Sequence, residues 1–238
     1  MEVRVRSRLV VAVTVVGLIV SGCQTTSFYV SKHLARPGSS LRVLLMPIDV
    51  ELSELTTGGV AEPNAEWTAK AERFMTAILQ ERMRKRGAAF AVYEKTERDS
   101  DIESDQVQLQ KLHGAVGGAI VVHNYAPVFA LPNKKGRFDW TLGSRVRILR
   151  QRYDADYALF VYLRDSYTSG GRAVAIFLAA ALFGVALQGG TQVGFASLVD
   201  LDSGDIVWFN VLARATGDLR ERKPSEETVT ALLENFPK

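Results

Sequence analysis

The stretch DADYALFVYLRDSYTS, residues 154–169, decides the fold. Its centre, residues 157–163, is an almost unbroken apolar run rich in aromatic side chains, the composition of a strand covered on both faces. A helix expected over residues 142–152 leads into it through Tyr153 and the short linker 154–156. A helix that feeds straight into a doubly buried strand is the signature of an α/β chain. The flanking sequence is read from that point outward.

Toward the N-terminus, LRVLLMPIDV (41–50) is a second such run, and Pro47 near its end is expected to stop further ladder pairing. Pro63 and Asn64 then start a helix that Gly87 would stop. Trp67, Ala71, Phe74 and Ile78 fall at i, i+4, i+7 and i+11, and Met75 and Leu79 widen this apolar face. The basic end of that helix, Arg82 to Arg86, reads as a solvated terminus favoured by the helix dipole, or as a contact for anionic lipid or glycan. AAFAVYE (88–94) reads as a strand. The charged segment 94–105 reads as a loop, followed by a helix around residues 106–113. GAVGGAIVVHNYAP (114–127) is glycine-rich first and strand-like afterwards.

Toward the C-terminus, QVGFASLVDLDSGDIVWFNVLA (192–213) holds two strands joined by a turn at Asp202, Ser203 and Gly204. Ser225, preceded by Pro224, is the expected N-cap of a last helix with acidic residues in its first turn. Between Arg172 and Gln188 lie 15 consecutive apolar residues, AVAIFLAAALFGVAL (173–187). A spanning helix needs about 20 residues, so a buried or interfacial helix is expected here, with membrane insertion as the alternative. The order predicts an α/β fold: a single layered domain over residues 41–238, with a mixed sheet flanked by helices, an apolar insertion, and a C-terminal β-hairpin plus helix.

The first 22 residues form a basic segment, an apolar run (9–20) and the small residues Ser21 and Gly22 before Cys23, the only cysteine of the 238. These are the proportions of a secretory signal. Its removal, with Arg4, Arg6 and Arg8 against Glu2, lowers the formal net charge from +3 to +1. Such a near-neutral chain gives no electrostatic ground for nucleic-acid binding. Residues 23–40 read as a polar tether, with His33 solvated within it.

Small residues running directly into Cys23 resemble the bacterial lipobox. That resemblance implies a signal cut before Cys23, palmitate-type lipidation on its sulfur, and a mature chain that begins there. Gln24, in place of an aspartate, implies the outer membrane, with the domain on its periplasmic face. RVLLMPIDV, DADYALFVYLRD and ASLVDLDSGDIVWFN, together with the lipobox, resemble a group of bacterial envelope lipoproteins. The group includes the curli-secretion lipoprotein, the activator of penicillin-binding proteins and lipoproteins of unassigned role. The curli-secretion member forms pores through inserted β-hairpins. The corresponding apolar run here lacks the alternation a barrel requires.

For chemistry the sequence offers little. There is no HExxH, CxxC or G-x-S-x-G, and His113 and His123 are ten apart, so no catalytic residue, metal site or cofactor is assigned. Arg164, Asp165, Ser166 and Tyr167 cluster at a strand end. Arg164, Asp165 and Arg172 form a candidate polar site for an anion, the alternative being an Arg–Asp pair that orders a loop. Asp49, Glu51 and Glu54 form a carboxylate cluster after the first strand. The expected function is a lipid-anchored, non-enzymatic envelope protein that binds or supports an assembly or export machine. Its expected partners are the membrane through Cys23 and an envelope protein or a second copy. The alternatives are a self-assembling or membrane-inserting component using 173–187, and an enzyme acting on cell-wall or surface polymers.

Overall fold

The computed structural model describes residues 24–30, 42–86, 89–93, 100–171, 173, 190–215 and 217–237. The signal segment, Cys23, His33, Gly87, Arg172 and the apolar run beyond Ala173 lie outside the described residues. In chain order the elements are β1 (Gln24–Val30), β2 (Arg42–Leu45), β3 (Asp49–Leu55), β4 (Ala61–Pro63), α1 (Ala65–Lys85), β5 (Ala89–Val92), α2 (Ser100–Tyr125), α3 (Arg147–Tyr153), β6 (Tyr157–Thr168), β7 (Gln192–Asp200), β8 (Ile206–Arg214) and α4 (Arg222–Leu232).

The stretch that opened the sequence is the spine of one mixed sheet, ordered β1-β8-β7-β6-β2-β5 among the described residues. Strand β6 pairs with β7 antiparallel on one side. On the other side it pairs in parallel with β2 and then, further along, with β3. Helices cover both faces, which is why β6 carries apolar residues at odd and even positions alike. Leu159, Val161 and Leu163 pack with Met75 and Leu79 of α1 and Leu232 of α4. Ala158 and Phe160 pack with Leu109 and Ile120 of α2 and Leu149 of α3. The expected α/β architecture, with its C-terminal hairpin and helix, is the observed one.

Local chemistry places the ends. Asn64 caps α1, its Oδ1 accepting from Trp67 N at 3.0 Å. At the β7–β8 turn, Asp200 Oδ1 accepts from Asp202 N and Ser203 N, and Gly204 supplies the positive φ of 82°.

Four expectations are corrected. Residues 41–50 are not one strand: the chain breaks around Pro47, which has no N–H to give, and pairing with β6 resumes at Asp49. The polar tether is in part a strand, since β1 runs antiparallel to β8 from Gln24 to Val30. The loop, short helix and strand-like segment read across 94–127 are largely one 26-residue helix, α2. Two of its glycines, Gly114 and Gly117, are packing positions: a Cβ on Gly117 would stand 2.0 Å from Phe195 Cε2. Ser225 is not an N-cap, because α4 starts at Arg222 behind Glu221. Pro224 lies in the first turn, where no N–H is needed, and Ser225 Oγ donates to Glu221 O at 2.8 Å.

Candidate functional site

Among the described residues, two places that bring polar groups together stand at different levels of the sheet. The first is where the sequence located its polar site, at the far end of β6. Side chains alternate along a strand, so Arg164 and Asp165 face opposite sides of the sheet. Arg164 pairs with Asp49 at 2.7 Å, donates to Asp49 O and Leu163 O, and lies over the Tyr162 ring at 4.0 Å. Asp165 is 4% exposed on the α1 side. The two residues therefore form neither a pair nor one anion site, and Arg172 lies outside the described residues. The carboxylates separate likewise: Glu51 stands opposite Arg164 in register, while Glu54 falls on the other face.

Asp165 anchors a network the sequence did not show. Its Oδ2 accepts from the Tyr167 hydroxyl at 2.6 Å and from Gln192 Nε2 at 2.7 Å. The Tyr167 oxygen accepts from Leu219 N, and Gln192 Oε1 accepts from Thr228 Oγ1, both at 2.8 Å. The Arg220 guanidinium lies 4.0 Å over Tyr167 and 4.7 Å over Trp67 while pairing with Asp218. Burial raises the Asp165 carboxyl above its ordinary range against the hydrogen bonds from Tyr167 and Gln192. Burial also raises Tyr167, which stays a phenol donor. The network fastens the chain before α4, and α1, to the sheet beside a small cleft of about 180 Å³.

The second place is the crevice at the carboxyl ends of β2 and β5. From β2 the chain passes through β3 and β4 to α1 on one face; from β5 it passes to α2 on the other. The crevice opens between those two helices, at the carboxyl ends of parallel strands, the end of an α/β sheet where ligands bind. The crevice has a volume of about 350 Å³ between Glu72 and Thr76 of α1 and Gln106 and Gln110 of α2. Each pair is spaced i, i+4, so each lies on one helix face. Both spacings fall within helices that the sequence predicts; what it does not show is that the two helix faces meet across the ends of β2 and β5.

Both described histidines, His113 and His123, are engaged by neighbouring groups. His113 Nε2 lies 2.8 Å from Ser197 Oγ beneath α2, and both residues are 0% exposed. Burial lowers the His113 pKa to about 3, so the imidazole is neutral. The distance suits a nucleophile and its base, but catalysis requires room for a reacting atom beside them, and Phe160 and Phe195 pack against the ring. His123 Nδ1 donates to Phe129 O. The basic end of α1 is engaged as well: Lys85 with Glu81, Arg82 with Thr230, and Arg86 with Phe236. Among the described residues no three His, Cys, Asp or Glu side chains gather to hold a metal. No described helix is long and apolar enough to cross a membrane.

No family model and no curated protein matches the sequence. Among solved structures the chain is similar to a PelC dodecamer from Paraburkholderia phytofirmans, at 11% identity over 89% of this chain and 95% of that one, with a TM-score of 0.39. It is also similar to a DUF4136 family protein from Bacteroides thetaiotaomicron, at 11% identity over 89% and 94%, with a TM-score of 0.33. Likenesses this distant carry no argument about the chain.

Proposed function

We propose that the chain is a lipid-anchored bacterial envelope protein that acts by binding, held at the periplasmic face of the outer membrane through an acylated Cys23. The observation that carries this reading is the register of β1. Gln24, the residue after Cys23, is already paired with Arg214, in the row that runs on through Gln192 and Asp165 to Leu52. A lipid on Cys23 would attach to one end of the sheet with no slack between them. A single acyl chain gives only marginal anchoring, and a multiply acylated cysteine supplies the second signal that stable anchoring needs.

A membrane-contacting role for 173–187 is supported by the same geometry. This run joins the end of β6 to the start of β7, so it leaves the sheet at the end where β1 begins. The β3–β4 turn reaches that end too, with Val60 62% exposed. An apolar connection, an exposed valine and the lipid residue would then share one membrane-facing end, leaving the β7–β8 turn at the other end for partners.

Cell fractionation tests both parts. Cys23→Ser should move most of the protein out of the outer-membrane fraction. Cys23→Ser combined with a Gly-Ser linker in place of residues 174–189 should release the remainder. Unchanged fractionation of the single variant sinks the anchor. Equal release by the two variants sinks the second contact.

A further inference from the structure

We propose that the crevice at the carboxyl ends of β2 and β5 binds a small organic cation, an ammonium group carried on an apolar body. Position and size come first. The crevice lies at the carboxyl ends of two parallel strands, between α1 and α2, and its volume of about 350 Å³ falls within the roughly 300–1,000 Å³ of small-molecule sites.

The lining then selects the ligand class. Gln110 Nε2 donates to Pro47 O at 3.1 Å. A backbone carbonyl can only accept, so the orientation of that amide is fixed and its Oε1 remains as an acceptor. Gln106 Nε2 donates to the Tyr153 hydroxyl at 3.2 Å, which leaves a second amide oxygen. Glu72 adds a carboxylate, and among the described residues it has no ion-pair partner. Among the described residues no lysine, arginine or histidine lines the crevice. A cavity lined by a carboxylate and by two amides, each with one N–H engaged by the protein and its oxygen left to accept, favours a ligand that brings its own donors and positive charge.

The walls require an apolar body. Leu45, Met46 and Val92 form the floor, and Val107 stands 41% exposed on α2 between the two glutamines. The dipole of α2 does not reverse the preference for a cation. Its effect fades within the first turn, and Gln106 lies six residues past Ser100.

Methionine-methyl NMR on the full-length chain in detergent, titrated with cyclohexylamine, cyclohexanol and cyclohexanecarboxylate, tests the proposal. Met46 lines the crevice, whereas Met75 and Met83 lie in the core on the opposite face of the sheet and serve as internal controls. Cyclohexylamine should shift Met46 saturably, leave Met75 and Met83 in place, and bind at least tenfold more tightly than the carboxylate. Glu72→Gln, at an exposed position, should weaken the amine about tenfold and leave the alcohol unchanged. A Met46 signal that does not saturate, a carboxylate that binds as well as the amine, or an amine affinity indifferent to Glu72→Gln would overturn it.

Discussion

At the scale of single residues, Asp165 shows what a strand's period of two does to a sequence motif. Adjacent Arg and Asp look like a pair on paper, but the pleat sends Arg164 to Asp49 and Asp165 into the α1 face. Tyr167, two residues on along the same strand, was within reach of the sequence, but the rest of what Asp165 meets was not legible, because Gln192, Leu219 and Thr228 come from separate segments of the chain. The cost of the site is testable. Asp165→Ala removes the acceptor for two buried donors and should lower stability by about 1–3 kcal/mol. Asp165→Asn keeps an oxygen where Oδ2 stands and removes the charge that burial opposes. Because the folded carboxyl is raised above the unfolded value of 3.8, its contribution is fully present below that value. It is lost as pH rises through the folded value. Urea unfolding should therefore show Asp165→Asn gaining on the wild type between pH 4 and pH 7. A difference that stays flat over that interval would mean that the buried carboxyl is not held above its ordinary range.

At the scale of elements, legibility followed amphipathicity. Helix α1 has a polar and an apolar side, so the stripe from Trp67 to Ile78 predicted it, as turn chemistry at Asp200 to Gly204 predicted the β7–β8 hairpin. Helix α2 has no such asymmetry over residues 112–125, and its glycines imitate a turn. Gly114 and Gly117 are instead the means by which the helix approaches the aromatic surface of Tyr162 and Phe195. Strand β1 was missed for a different reason. QTTSFYV is polar at its start, although its threonines, aromatics and valine are residues that strands favour. The two neighbouring glycines of α2 should answer oppositely to alanine. At Gly117 the new Cβ meets Phe195, which is buried and stacked on Tyr162 and Phe209, so the helix or the ring must shift at about 1–3 kcal/mol. At Gly118 nothing stands within 4 Å, and Gly118→Ala should stabilise by up to about 1 kcal/mol through helix propensity alone. Thermal unfolding of the two variants should move in opposite directions from the wild type. Equal shifts would show that α2 does not pack through Gly117.

At the scale of the molecule, the proposed anchor at Cys23 would make the sheet a ruler between a membrane end and a free end. The row through Gln24, Arg214, Gln192 and Asp165 lies eight residues along β6 from Tyr157, which is opposite Asp200 near the β7–β8 turn. At about 3.3 Å per residue the two levels are roughly 26 Å apart. With no slack between Cys23 and Gln24, a lipid at Cys23 should hold the first level at the headgroups and the second beyond them. Fluorophores attached at Thr57→Cys, in the β3–β4 turn, and at Asp202→Cys, in the β7–β8 turn, report the two ends in vesicles carrying a quencher on their lipids. The label at Thr57 should be quenched severalfold more than that at Asp202. Inserting eight Gly-Ser residues between Cys23 and Gln24 should erase most of the contrast while leaving the protein membrane-bound. A third label at Val128→Cys guards the orientation. Val128 is 90% exposed just past the end of α2, where Tyr125 packs on Tyr29 near the opposite end of β1. Strong quenching there with none at Thr57 would turn the molecule over and leave the apolar connection between β6 and β7 to a protein partner.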